Sequence, residues 1–349
     1  MHVKNTARKT VTVAFSGGKD STAAILLLRE QGYLVRALTM RLGLAGEDEK
    51  LIRVEKLARA IAIPWQACDL RAAFREKVLD YFLHAYRSGL TPNPCVVCNR
   101  QIKFALLLAE AKRKSAAGFF ATGHYADKFC ANGRWFLHEP LDRHKSQIYF
   151  LAMIEPSVLS DVLFPIATMT IGQVREKVAG LPLANLEESQ DVCFLQGEPL
   201  AVFLGRHLPD SFKAGDILDK AGRPIGRHQG AIHFTAGQRR GTHHASDRRL
   251  YVVLRDLGAN TIMLGDEGDL LAETVTVQTP VFWRKLRVGE QLSVKIRYQL
   301  QGHAAEIAEI SESRIHAVFK KPVRAVTPGQ FGVFYDGDVI VAGGEIAKP

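Results

Sequence analysis

The sequence predicts an α/β protein: a parallel sheet covered by helices on both faces, followed by one or two β modules. Three observations predict it. Between residues 11 and 122, short apolar runs alternate with longer amphipathic ones, the pattern of a helix-covered parallel sheet. Beyond about residue 200 the segments shorten, alternate polar with apolar, and are separated by Gly, Asp and Pro, which suits small antiparallel sheets or barrels. And 349 residues are too many for one compact domain but suit two or three.

In chain order, Val11–Phe15 reads as a buried strand stopped by Gly17-Gly18, and 21–31 as a helix with Ala23, Ile25, Leu26 and Leu28 on its apolar positions. A strand over 33–42, a helix over 47–62, a strand over 64–69 and a helix over 71–87 follow. A loop at 88–99 leads to a helix over 101–115 and a strand over 118–122; further helices are expected at 155–163 and 170–179. In the second half, 251–255, 261–264, 294–298, 316–319 and 331–335 read as strands. Domain limits are expected near 200 and 270: a catalytic domain over 1–200, a central β-rich module over 201–270 and a C-terminal barrel over 271–349.

A 47% hydrophobic fraction is ordinary for a globular chain that buries a core. The longest apolar runs, AAILLL at 23–28 and FALLLA at 104–109, fall far short of a membrane span, and no leader pattern opens the chain, so a cytoplasmic protein is expected. The net charge of +10 suggests a polyanionic partner. From Arg223 to Arg255 there are seven arginines and four histidines against one acid, Asp247; Arg284, Lys285, Arg287, Lys295 and Arg297 form a second basic cluster. Both suggest a surface that faces nucleic acid.

Ser16-Gly17-Gly18-Lys19-Asp20-Ser21 sits between a strand and a helix. Adjacent glycines let backbone approach an anion, and the helix start offers unpaired N–H groups. Ser16, Ser21 and Lys19 add donors and charge, and Asp20 serves either magnesium or the helix cap. The spacing differs from a Walker A loop.

Five cysteines are too few for a disulfide framework. Cys95 and Cys98 follow two prolines and approach a helix start, where a thiolate is favoured. Three readings stay open for them: sulfur-relay thiols, an iron–sulfur cluster that includes Cys193, or half of a zinc site. Cys68 and Cys130 read as inert core thiols, and Cys193, between Val192 and Phe194, by itself also reads as core. His243 and His244 read as solvated or phosphate-facing, His228 and His233 as structural, and Trp283 as either core or an RNA-stacking ring.

The hexad resembles the pyrophosphate loop of the N-type ATP pyrophosphatases. Together with TPNPCVVCNRQIKF (91–104), ATGHYA (121–126), LFPIATMTIGQVREKVAGLPLA (163–184), ESQDVCFL (188–195), FTAGQRRG (234–241), VKIRYQ (294–299) and VTPGQF (326–331), the chain resembles the bacterial tRNA-specific 2-thiouridylase family along its whole length. The resemblance implies an adenine-nucleotide α-hydrolase-like domain, a small central β module and a C-terminal β-barrel. It implies adenylation of O2 of the wobble uridine, U34, and its replacement by sulfur, with ATP consumed, Mg2+ as cofactor and tRNA as partner. A persulfide donor, either a sulfur-relay protein or a cysteine desulfurase, is implied with it, and a 4Fe–4S cluster is left open. By the same resemblance Ala14, Phe15, Ser16, Gly17, Gly18, Lys19, Asp20 and Ser21 hold the phosphates, Met40 meets adenine and Gly123 lines the nucleotide site. Cys98 is the nucleophile, and Cys193 carries the incoming sulfur and pairs with it. Asn93, Pro94 and Cys95 surround the base, and His124, Lys145, Ser146, Gln147, Arg297, Tyr298 and Gln330 touch tRNA. Lys19, Ser146 and the 242–250 segment depart from the family's usual residues; a diverged sulfur transferase acting on another RNA position or a small molecule is the alternative.

Overall fold

The computed structural model describes residues 9–115, 118–181, 192–242, 249–298 and 301–348. They form two compact units. The first gathers the described residues of Met1–Val78, Cys95–Gln190 and Asp338–Ile340; the second those of Leu79–Pro94, Asp191–Gly337 and Val341–Pro349.

In the first unit β1 (Thr10–Ala14), β2 (Leu34–Arg41), β3 (Trp65–Asp69) and β4 (Phe119–Thr122) are parallel, with order β3-β2-β1-β4. Helix α1 (Lys19–Glu30) connects β1 to β2 and α2 (Glu47–Ala60) connects β2 to β3. Val11, Val13, Phe15, Ile25, Leu28, Val35, Val54, Leu57 and Ile63 pack into one core, while Ala23 and Ala24 join Tyr125, Ile166, Val174 and Val178 in another. α1 therefore contributes to both clusters. The hairpin β5 (Asp127–Ala131) and β6 (Arg134–His138) turns at Asn132 and Gly133, both with positive φ. β7 (Val162–Leu163) adds a short edge strand beside β4.

Helix Pro94–Cys98 runs directly into the π-helical stretch Asn99–Leu107 and then into helix Leu108–Lys114. The expected loop to residue 99 thus ends at Pro94, because proline with its fixed φ suits the first helical position. The helix expected over 71–87 carries a second π-helical stretch, Arg75–Asp80. That expected at 155–163 is a 3-10 turn, Pro156–Asp161, followed by β7.

In the second unit β8 (Gly215–Leu218), β9 (Pro224–His228), β10 (Tyr251–Asp256) and β11 (Thr261–Gly265) form a sheet of order β10-β11-β8-β9. It is mixed rather than purely antiparallel: β11 runs parallel to β8, which the long chain between β9 and β10 permits. β12 (Leu271–Phe282), β13 (Gln291–Lys295), β14 (His303–Ile310), β15 (Arg314–Arg324), β16 (Phe331–Asp336) and β17 (Val339–Ile346) make a six-stranded antiparallel barrel, closed by the β12–β17 pairing. Its core includes Val275, Val277, Val294, Ile296, Ile307, Ile315, Ala317 and Phe334. Trp283 is 2% exposed, so it is a core ring. Among the described residues no helix is long and apolar enough to cross a membrane.

Candidate active site

The loop after β1 is held from three sides. The Phe15 N–H donates to Leu38 O at 2.9 Å, and Thr39 Oγ1 donates to Phe15 O at 2.7 Å. Gly17 takes φ +80, and a Cβ there would lie 2.8 Å from Val54 Cγ2 on α2. Ser16 Oγ accepts from the Gly18 N–H at 3.3 Å and lies 3.2 Å from Ser21 Oγ. The N-cap of α1 is Gly18, and no side chain caps the helix. Its first-turn N–H groups and the positive end of its dipole therefore face the loop's opening, the arrangement that binds phosphate. Lys19 and Asp20 are half-buried at its start, and Asp20 Oδ1 accepts from the Tyr125 hydroxyl at 3.3 Å.

Gly123, one residue past β4, completes this cradle. A Cβ on it would stand 2.6 Å from Asp20 C and Ser21 N, so only glycine lets the end of β4 cross the helix start. His124 follows, 9% exposed. Its Nε2 is 3.2 Å from Lys103 Nζ and its Nδ1 is 2.8 Å from Thr122 Oγ1; burial, then the Lys103 charge, holds its pKa well below the ordinary value. Gln147 holds the next residue, with its Oε1 accepting from the Tyr125 N–H at 3.0 Å and its own N–H donating to Tyr125 O. Ser146 is buried and Lys145 half-buried beside it. Met40 lies near the end of β2, in register with Cys68.

Pro94 opens the helix that bears the thiols. Val96 and Val97 are buried, whereas Cys95 and Cys98, three residues apart and so on one face, are each partly exposed. Asn99, 4% exposed, ties this helix down through Nδ2 to Phe150 O at 3.1 Å. Cys68 is half-buried, its thiol pushed up by burial and then by Glu110, and Cys130 is exposed on β5. Neither is the core thiol the sequence suggested; β5 sits at the edge of its sheet, where alternate residues face solvent.

In the second unit, Cys193 is exposed, not core as its apolar neighbours suggested. It stands in a turn closed by Leu195 N–H to Val192 O at 2.9 Å, with Gln196 and Gly197 at positive φ. Phe194 takes the buried place instead, its ring 5.0 Å from that of Phe82 and 5.2 Å from that of Phe203. The rest of its motif, 188–191, lies outside the described residues, as do His243, His244, most of the 242–250 segment and Gln299. Arg297 and Gln330 serve the barrel's 325–330 loop. Arg297 Nη2 donates to Ala325 O at 3.1 Å and Thr327 Oγ1 at 2.5 Å, and Gln330 Nε2 donates to Thr91 O at 2.9 Å. Thr91 also donates its N–H to Pro328 O, so this loop grips the chain two residues before Asn93. Tyr298 is half-buried beside Arg297. His228 is buried and accepts the Gly230 N–H through Nδ1, a structural role.

Sequence reasoning gave no role to Lys103 or Tyr125, although both lie in quoted motifs, nor to Arg255 beyond its place in the basic cluster, and did not single out Thr39. Arg255 donates to Phe234 O at 2.5 Å and Leu90 O at 3.1 Å, carbonyls far from it in sequence.

Among the described residues no three His, Cys, Asp or Glu side chains are grouped to hold a metal ion. Cys95 and Cys98 supply two partly exposed thiols on one face of their helix, and the third thiol of the expected cluster, Cys193, belongs to the second unit.

Residues 9–197 match the model of the tRNA methyl transferase HUP domain, 201–266 that of the tRNA methyl transferase PRC-barrel domain and 273–346 that of the aminomethyltransferase beta-barrel domain. The tRNA-specific 2-thiouridylase MnmA 2 of Caldanaerobacter subterraneus subsp. tengcongensis is 37% identical across 97% of this chain and 98% of its own. MnmA 1 of the same organism is 38% identical, also across 97% and 98%. The 2-thiouridylase MnmA of Acidithiobacillus ferrooxidans is 37% identical across 97% and 99%. A solved structure, a predicted subunit of tRNA methyltransferase from Methanocaldococcus jannaschii, covers 48% of this chain and 73% of its own at TM-score 0.32 and 18% identity, too slight a likeness to bear on the fold. With relatives this similar along nearly its full length, the chain belongs to the tRNA-specific 2-thiouridylase family.

Proposed function

We propose that this protein is a cytoplasmic tRNA-uridine 2-sulfurtransferase that thiolates the wobble uridine, U34, at the expense of ATP. One observation carries the reading. Within a single unit, an uncapped helix start behind a glycine-tight loop is joined, through Gly123, His124 and Lys103, to the helix that bears Cys98. Phosphate binding and thiol chemistry thus share one framework. We assign the catalytic domain to residues 1–200, the central module to 201–270 and the barrel to 271–349.

In the proposed reaction the uridine O2 attacks the α-phosphate, an O–P bond forms, and pyrophosphate leaves with the electron pair of the broken P–O bond. The uracil oxygen has become a leaving group. Asp20 is the loop carboxylate that would hold Mg2+, since this ion takes one or two carboxylates and draws its remaining ligands from phosphates and water. Bound there, it would supply positive charge against the phosphates. A persulfide on Cys193, received from a sulfur-relay protein or a cysteine desulfurase, attacks C2 and expels AMP. The Cys98 thiolate then attacks the Cys193 sulfur, which forms a Cys98–Cys193 disulfide and leaves sulfur on C2; an external thiol reductant restores both cysteines. Exposure of Cys193 and partial exposure of Cys98 suit groups that must meet a donor protein and a base turned out of the anticodon stack. Asn93, Pro94 and Cys95 are assigned to the base, and Lys145, Ser146, Gln147, His124, Arg297, Tyr298 and Gln330 to tRNA. Their described hydrogen bonds show Gln147, His124, Arg297 and Gln330 also shaping the protein itself.

The test is mass spectrometry of tRNA nucleosides from a strain lacking this gene, beside its complemented control. Loss of 2-thiouridine derivatives, restored on complementation, is expected. Unchanged 2-thiouridine in a strain with no second such gene would overturn U34 as acceptor and favour another substrate for the same chemistry.

A further inference from the structure

Lys103 belongs to no motif role assigned above. It is half-buried on the π-helical stretch Asn99–Leu107, which begins directly after Cys98. Lys103 follows Cys98 by five residues in this continuous helical run, little more than one turn further on. Its ammonium has no lone pair, so in the 3.2 Å contact Nζ donates and Nε2 of His124 accepts. The neutral ring then carries its proton on Nδ1 and donates to Thr122 Oγ1 at 2.8 Å. Desolvation keeps that imidazole uncharged, so it orients the ammonium without neutralising it. Among the described residues no carboxylate pairs with Lys103.

A half-buried cation with an uncharged partner is costly until an anion arrives. The surroundings say which anion. His124 adjoins Gly123, and Gly123 presses on the backbone of Asp20 and Ser21, at the end of α1 where phosphates would bind. Lys103 is thereby tied both to the phosphate cradle and to the helix of Cys98.

We propose that Lys103 is a charge-stabilising residue of the adenylation step. It faces the negative charge that builds on the α-phosphate as the uridine oxygen attacks and pyrophosphate leaves, and neutral His124 is its positioning residue. Lysine acts here by charge alone and neither gains nor loses a proton. The proposal rests on the thiolation reading above and adds a residue to it.

The test compares the full chain with Lys103→Met, which keeps the aliphatic stem, and Lys103→Arg, which keeps the charge. The readouts are AMP released in the presence of unmodified tRNA, the KM values for ATP and tRNA, and the melting temperature. Lys103→Met is expected to lower kcat for AMP release by roughly 10²–10³-fold, the range for removing one preorganised charge-stabilising donor. Its KM for tRNA should stay within about threefold, since the lost interaction strengthens in the transition state. Lys103→Arg should recover at least about tenfold of that loss. A Lys103→Met kcat within about threefold of wild type, or a loss confined to the KM for tRNA, would overturn the proposal. If Lys103→Met lowers the melting temperature, Lys103→Arg decides: recovered release supports the charge role, and release as low as that of Lys103→Met overturns it. Absence of tRNA-dependent AMP release from the wild-type chain would overturn the thiolation reading itself, an outcome seen before any variant is compared.

Discussion

At the loop after β1, the main chain is held closely at successive positions. Gly17 lies against Val54, Phe15 is pinned by Leu38 and Thr39, and Gly123 leaves no room for a methyl group beside Asp20 and Ser21. At the Cys193 turn the opposite holds: one ring, Phe194, is buried against Phe82 and Phe203, and the cysteine beside it is exposed. Under the proposed function, the difference follows from what each region would handle. Phosphate is recognised by N–H groups whose directions must be fixed in advance, so the loop is built from close backbone approaches. A sulfur-carrying thiol must be reached by another molecule, so it needs anchoring next door and access at the sulfur itself.

Removing the accessible thiols tests this contrast most severely. Cys98→Ser and Cys193→Ser are each expected to reduce tRNA thiolation to background while ATP binding, followed by equilibrium dialysis, stays at the wild-type level. Thiolation at the wild-type rate by either variant would remove the two-thiol relay.

Gly123→Ala addresses the other side. Its Cβ would meet the Asp20 and Ser21 backbone at 2.6 Å, so the loop or the end of β4 must shift by several tenths of an ångström or more. A misplacement of that order costs up to about 10²-fold in rate. Gly268→Ala, where a Cβ meets nothing within 4 Å, is the control and should leave AMP release unchanged. Equal activity of the two variants would show that the cradle is not set by backbone contact.

The smallest effect concerns His124. Its folded-state pKa is held below the ordinary value by burial, so on acidification the unfolded chain binds a proton first. Stability from this group is therefore complete above about pH 6.5, the unfolded value, and lost as pH falls below it. His124→Gln should flatten the fall in melting temperature between about pH 7 and about pH 5. His228 and His233 are shifted the same way by burial, so part of the slope should remain. An unchanged slope would mean that His124 is not buried neutral.

Much of this was legible in the linear chain, and unevenly. The β1–loop–α1 unit could be read because strand, glycine pair and helix are contiguous, and each acts through local conformation. Pro94 as a helix start is equally local, yet Pro92-Asn93-Pro94 reads as loop as readily as helix start, and only the structure shows its last member to be the first helical residue. The Asn132-Gly133 turn is likewise encoded by a short-range signal. The exposure of Cys193 was not legible: Val192 and Phe194 flank it with apolar mass, and only packing decides which of three neighbours is buried.

By itself the sequence determined the fold class, the strand–glycine pair–helix unit and the family, because these follow from hydrophobic period, glycine spacing and an ordered motif set. Tertiary structure alone decided that Gly123 abuts Asp20, that Lys103 meets a neutral His124, and that Arg255 and Gln330 reach the carbonyls of Leu90 and Thr91. Those contacts join residues from about 20 to more than 200 positions apart, and no local pattern encodes which side chain lands where once sheets and barrel close.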